Sequence, residues 1–299
     1  MNNLVDIFIE KLITKNELQK KYIKNWQLSQ QEIEDLNDVL KFFTDAYDGK
    51  NYDIEYIVDS YLFLNNMIME ETYYFVSNDK YRYSSFKEVD DIVYNNKEYM
   101  EKYMMGLAVS EYIWINHLKM IRYFENNSNS FFGDKYLEIG PGFGQYLSRA
   151  ITKCDFKKYF ACDVSQTSVE GSNQYLKYQG IQDKCIVEHK NFFDYDSSDK
   201  FDCIVMGEVL EHVEQPLEML EKICSLLTEN GKAFITTAIN APTLDHIYLF
   251  RSAQEVLDMA KKAGFHVVDY VCYAAGDIPL EKAIKKKQAI SIAMILNKN

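Results

Sequence analysis

The sequence predicts an α/β protein, with a seven-stranded, mostly parallel sheet over residues 126–299 whose last strand runs antiparallel, preceded by an all-helical domain over residues 1–125. Three observations carry that expectation. Through the first 125 or so residues, apolar side chains recur at three- and four-residue spacings, strand-like alternation is weak and proline is absent. Beyond residue 133, short β-branched or aromatic runs alternate with helical spacings. Between the first such run and the next helix stand three glycines at alternate positions, 140, 142 and 144.

In the helical half, Ser29 and Glu32 have capping-box spacing, which predicts a helix to Asp48 that Gly49 ends. From Asp53 the segment DIEYIVDSYLFLNNMIMEETYYFV is apolar around most of its circumference, as suits a helix buried on more than one side. Ser85 with Glu88 opens another helix, and residues 96–125 read as one long helix or two joined near Gly106. The polar, glycine-ended stretch NNSNSFFG, 126–133, is the expected linker. The strands that follow are expected at 135–139, 158–163, 184–189, 201–206, 232–238, 266–273 and 289–296. Only DIPLEKAIKKK separates the last two, too little for a full crossover helix, so the final strand is free to turn back.

Composition narrows the function classes. Hydrophobic residues at 47% and charged residues at 26% suit a folded globular chain. The 45 acidic against 33 basic side chains give a charge of −12, which repels phosphate backbones and anionic lipid, so neither nucleic acid nor a membrane is expected as partner. The six cysteines include no C-x-x-C pair and read as reduced core residues. The N-terminus does not have the pattern of a signal peptide, and no apolar run approaches about 18 residues, the length that spans a bilayer, so the cytoplasm is the expected location. A homodimer is compatible with the sequence, which does not determine the oligomeric state.

The string Tyr136-Leu-Glu-Ile-Gly-Pro-Gly-Phe-Gly-Gln145 is the most informative. An apolar strand ends at Ile139, and the glycines let the chain turn sharply while its backbone approaches a ligand that a β-carbon would exclude. The spacing is G-x-G-x-G, not the dinucleotide G-x-G-x-x-G, and the Lys-Ser/Thr pair of a phosphate-binding P-loop is missing. With Glu138 two residues before Gly140, the string resembles the first motif of class I S-adenosylmethionine-dependent methyltransferases, which have a Rossmann-like sheet. The resemblance implies that the turn faces the methionine end of the cofactor. Asp163 closes the second strand run 19 residues after Gly144, where an acceptor-only carboxylate can take hydrogen bonds from both ribose hydroxyls, with Val164 beside it. Alternatively, Asp163 caps the following helix.

The resemblance continues over about 165 residues. It implies that Asn191 and Phe192 lie near the adenine, although the family usually has aspartate where Asn191 stands. Gly207-Glu-Val-Leu-Glu-His-Val213 matches the segment above the cofactor, placing Gly207 and Glu208 among the contacts. Leu226-Leu-Thr-Glu-Asn-Gly231 matches the turn before the fifth strand. Methyl transfer needs proximity, alignment and sometimes a base, and requires no metal. His212, His246 and Glu208 are the expected bases, with Glu211 a further carboxylate. Each is equally readable as a loop or helix-end residue that holds the fold. Because the family often builds its acceptor pocket from helices before the first strand, Tyr99, Tyr103, Trp114 and His117 are expected to bind the acceptor, together with Asn240 after strand five. Ordinary core packing explains their spacing as well.

The function expected is therefore S-adenosylmethionine-dependent methylation of a small molecule at N, O or C, leaving S-adenosylhomocysteine. Other readings stay open: a relative that cyclises or transfers the aminoalkyl part and leaves methylthioadenosine, a non-catalytic binding module, and a nicotinamide-dependent oxidoreductase.

Overall fold

A computed structural model describes residues 3–23, 27–196, 198–276 and 278–298. The first part is helical: α1 (Leu4–Lys15), α2 (Gln19–Ile23), α3 (Gln30–Asp45), α4 (Ile54–Asn78), the single turn α5 (Phe86–Val89), α6 (Lys97–Ile113) and α7 (Ile115–Asn127). The capping box forms as its spacing predicts, with the Ser29 hydroxyl accepting from the Glu32 N–H and the Glu32 carboxylate from the Ser29 N–H. That helix stops at Asp45, and Gly49 instead closes a separate 3-10 turn at Tyr47–Gly49. Asp53 caps α4 through the Tyr56 N–H at 2.8 Å.

Two sequence expectations are corrected in this part. The break in the 96–125 segment falls at Trp114, whose extended backbone (φ −85°, ψ 117°) separates α6 from α7, and not near Gly106. Gly106 is a packing glycine: a β-carbon there would lie 2.7 Å from the Ser60 carbonyl oxygen of α4, so its absence lets the two helices approach closely. Nor is 126–133 an irregular linker. Helix α7 runs through Asn127, a 3-10 turn covers Ser128–Ser130, and the first strand begins at Phe132.

From there strands and helices alternate: β1 (Phe132–Ile139), α8 (Gln145–Lys153), β2 (Asp155–Asp163), α9 (Gln166–Tyr178), β3 (Cys185–His189), β4 (Phe201–Gly207), α10 (Pro216–Leu226), β5 (Leu227–Ile239), α11 (Ala253–Lys262), β6 (Phe265–Ala274), α12 (Leu280–Lys285) and β7 (Ile290–Lys298). They form one seven-stranded sheet in the order β3-β2-β1-β4-β5-β7-β6. The pairings among β1 to β5 are parallel, and β7 lies antiparallel between β5 and β6, as the short connection before it predicts.

The register aligns the functional strand ends. Ile139 pairs with Cys162 and with Met206, and Gly207 pairs with Thr236. Residues 140, 163 and 207 therefore emerge at one level on the carboxyl edge, where β1 and β4 part in chain direction and open α/β sheets hold ligands. Alternation along β1 sends Leu137 and Ile139 into the core on one face and Tyr136 into the core on the other. The helices of the first part bury a third cluster, and one of its members comes from the glycine turn. Phe143 packs on Phe43, Tyr47 and Phe42 at ring-centroid distances of 4.9, 5.4 and 5.9 Å, which anchors the turn to the helical part.

Candidate functional site

The turn is built on positive φ. Gly140, Gly142 and Gly144 sit at +65°, +55° and +77°, the left-handed region that costs any residue with a β-carbon. At Gly140 a β-carbon would also come 2.5 Å from Val209 Cγ2. Main-chain bonds fix the bend, from the Gly140 N–H to the Cys162 oxygen at 2.9 Å and from the Gly144 N–H to the Pro141 oxygen at 2.6 Å. Asp163 adjoins it, accepting from the Gly142 N–H and, at 2.8 Å, from the Ser165 N–H. Burial nevertheless pushes its carboxyl up to about 6, the N–H groups opposing the rise.

A cavity of about 2150 Å³ opens over this edge of the sheet. Glu138, Gly140, Gly142, Asp163 and Val164 line one side, with Asn191 and Phe192 alongside. Gly207, Glu208, His212, Asn240 and His246 line another, and Tyr103, Trp114 and His117 reach it from α6 and α7. Two expected residues stand back from it. Gly144 is spent on starting α8, and Tyr99 stacks behind Tyr103 at 5.9 Å with its hydroxyl buried and unpartnered. Glu138 lines the cavity yet is 2% exposed, and its carboxyl takes the Tyr136 hydroxyl at 2.7 Å and the Leu147 N–H. Burial raises it to about 8, and its two bonds tie β1 to α8. Asn191 accepts the Phe193 N–H at 3.0 Å, closing the turn after β3.

The side beyond β4 and β5 is made of ionisable side chains. Glu208 holds φ +52°, rare for a residue with a β-carbon, and its N–H bonds the Thr236 hydroxyl at 3.0 Å and carbonyl at 3.2 Å. Glu211 is fully buried and accepts the Thr237 hydroxyl at 2.7 Å. Burial, and for Glu211 the repulsion of Glu208, raises both carboxyls above the usual range. The His212 and His246 rings meet edge to face at 4.7 Å. Burial, then His212, pushes His246 down to about 3, leaving a neutral imidazole. His117 falls to about 4 by burial alone.

Sequence reasoning missed Asp245 and Tyr94. The Asp245 carboxylate, 1% exposed, accepts hydroxyls from Thr243, Tyr103 and Tyr94 at 2.9, 3.3 and 3.4 Å. Tyr94, from a π-helical turn in the first part, also lies 3.2 Å from His212 Nδ1. Asp245 had one visible signal, its place next to His246. Tyr94 had none, because 118 residues separate it from its partner.

Comparison with known proteins agrees with this architecture. Residues 137–233 match the family model described as a methyltransferase domain. A ubiquinone biosynthesis O-methyltransferase of Glaesserella parasuis is 30% identical over 154 residues, 50% of this chain and 63% of that enzyme. One from Actinobacillus pleuropneumoniae is 29% identical over 146 residues, 47% of this chain and 60% of the other. This chain thus spans about three fifths of the length of these curated relatives. Among solved structures, a mitomycin 7-O-methyltransferase superposes with a TM-score of 0.55 at 13% identity, covering 83% of this chain and 71% of that one. A Haemonchus contortus phosphoethanolamine N-methyltransferase, in complex with phosphomonomethylethanolamine and S-adenosylhomocysteine, superposes with a TM-score of 0.54 at 13% identity, covering 72% and 60%. These structural likenesses speak to the fold.

Proposed function

We propose, from the premise that the C-terminal part of this chain is a class I, Rossmann-like methyltransferase domain, that the protein uses S-adenosylmethionine to methylate a small-molecule acceptor. The observation that carries this reading is the joining of the glycine turn and Asp163 by a shared hydrogen bond, both on one cavity at the carboxyl edge of the sheet. The residues present fit the cofactor. At Gly140 a β-carbon would collide with Val209, which lines the same cavity, so glycine keeps the turn open there, and Asp163 brings an acceptor carboxylate to that cavity. Phe192, 3% exposed, offers a fixed apolar surface beside Asn191.

In this reading the turn at 140–144 holds the amino-acid end, Asp163 the ribose, and Val164, Asn191 and Phe192 the adenine side. Glu138 braces the turn from below, and Gly207 leaves room over β4. When bound, the cofactor supplies an electrophilic methyl group on a sulfonium. The chain's task is then placement and exclusion of water. Tyr103, Trp114, His117 and Asn240 shape the acceptor's side, with Tyr99 supporting Tyr103. Glu208, His212 and His246 stand as the polar groups that face the acceptor. The O-methyltransferase names of the curated relatives favour a hydroxyl as the group methylated.

Calorimetry with S-adenosylmethionine, followed by product analysis with candidate hydroxylated acceptors, tests the reading. Binding with S-adenosylhomocysteine as product supports it. Methylthioadenosine as product, or binding of NAD and none of S-adenosylmethionine, overturns it.

A further inference from the structure

We propose that Glu111, on α6, is a cofactor-binding residue that takes the ammonium group at the amino-acid end of the bound nucleoside. The inference rests on the methyltransferase reading and extends it to the helical part, which then completes the cofactor site as well as shaping the acceptor's side.

Helix α6 presents Met100, Tyr103, Met104, Leu107, Ala108 and Glu111 to the main cavity, a stripe at three- and four-residue spacing along one face. The stripe passes over the glycine turn, because a β-carbon at Gly142 would lie 3.2 Å from Met104 Cε. Glu111 stands about two turns further along the same face and is the stripe's charged member. Its charge is felt by Glu138, which braces the turn, and by Tyr146 and Arg149 on α8, which the turn opens. The Tyr146 ring in turn lies against the end of β4, 2.9 Å from where a β-carbon at Gly207 would stand. Glu111 therefore belongs to the β4 side of the turn, whereas Asp163 closes β2 and Asn191 follows β3. With the ribose at Asp163 and the adenine beyond it towards β3, the remaining end of the nucleoside points to where Glu111 stands.

What Glu111 lacks is a donor. Its Oε2 is buried with no hydrogen-bond partner among the described residues, which is costly for a carboxylate oxygen. Arg149 is the cation whose charge it feels, but that guanidinium is already committed. It donates to the Gln145 side chain and carbonyl at 2.7 and 3.0 Å, to the Tyr112 hydroxyl at 2.9 Å and to Glu125 at 3.1 Å. Burial accordingly pushes the Glu111 carboxyl up to about 7 against the pull of Arg149. An ammonium group brings three N–H donors and a compensating charge, so it satisfies Oε2 and favours the ionised carboxyl. A hydroxyl or an amide would bring a donor without the charge. Like charge turns the carboxylate of the same amino-acid end away from α6, so Glu111 also fixes which way round that end lies.

The test compares, by calorimetry, S-adenosylhomocysteine with its desamino analogue, in which hydrogen replaces the ammonium group, on the full chain and on Glu111→Gln. The wild type should bind S-adenosylhomocysteine at least about tenfold more tightly than the analogue, the lower end for a hydrogen bond to a charged group. Glu111→Gln should lose most of that preference by weakening S-adenosylhomocysteine, with affinity for the analogue held within about twofold. Equal weakening of both ligands means that Glu111 only supports the fold and overturns the assignment, as does a variant that keeps the wild-type preference. Should Glu111→Gln fail to fold, Glu111→Asp, which keeps the charge and draws it back by a methylene, is put through the same comparison and must narrow the preference. Binding of both ligands to the wild type without preference overturns this inference alone. Binding of neither overturns the methyltransferase reading, and this inference with it.

Discussion

The wall formed by the turn at 140–144 and Asp163 is largely main chain held by positive φ, whereas the wall after β4 and β5 is a cluster of buried carboxylates and imidazoles. The first is shaped by backbone conformation and carries two titratable carboxyls, Asp163 and Glu138. The second concentrates Glu208, Glu211, His212, Asp245 and His246 within a few ångströms, with two carboxylate oxygens unpartnered. Main chain can be arranged by choosing glycine, but a charge cluster must be assembled from several elements and compensated group by group. The difference suggests a division of labour, with cofactor affinity set by the first wall and acceptor chemistry by the second.

The comparison is open to being broken. Gly140→Val combines a strained φ with a clash against Val209 and is expected to lower S-adenosylmethionine affinity by at least about 100-fold, or about 2.8 kcal/mol, by calorimetry. Asp163→Ala leaves the ribose position without its acceptor and is expected to cost about 1–3 kcal/mol of affinity. If His246→Asn costs as much cofactor affinity as Asp163→Ala, the division of labour is wrong; a change below about twofold is expected.

Two further measurements sharpen it. The Asp163 carboxyl is raised to about 6 by burial, so its accepting form is present above that value and is lost as pH falls through it. Cofactor affinity should therefore drop between pH 7 and 5 in the wild type, and the slope should flatten in Asp163→Asn. Away from both walls, Gly106→Ala pushes a methyl against the Ser60 carbonyl and is expected to cost about 1–3 kcal/mol of stability, seen as a lower melting temperature. The smallest effect is expected from Ser29→Ala, about 1 kcal/mol from the lost cap, with cofactor affinity unchanged.

How much of this was legible follows the same line. The capping boxes at Ser29 and Ser85, the glycine turn, the carboxylate ending β2 and the reversed last strand were readable because each depends on local backbone preference or on the length of one connection. Gly106 misled because a glycine serving close helix contact looks, in one dimension, like a glycine that ends a helix. Trp114 gave no warning, since a residue with ordinary helical tolerance was held extended by what surrounds it.

The sequence by itself determined the order of elements, the bend after β1 and the acid after β2, since φ preference, capping and periodicity act over a few residues. Only the tertiary structure decided that Phe143 would plug the turn into the helical part, that Tyr94 would reach His212 and Asp245, and that Glu211 would face His246. Those contacts join residues 35 to 151 positions apart or depend on which way a loop folds over the sheet edge. Proximity at that range is set by how the packed layers meet, and no local preference encodes it.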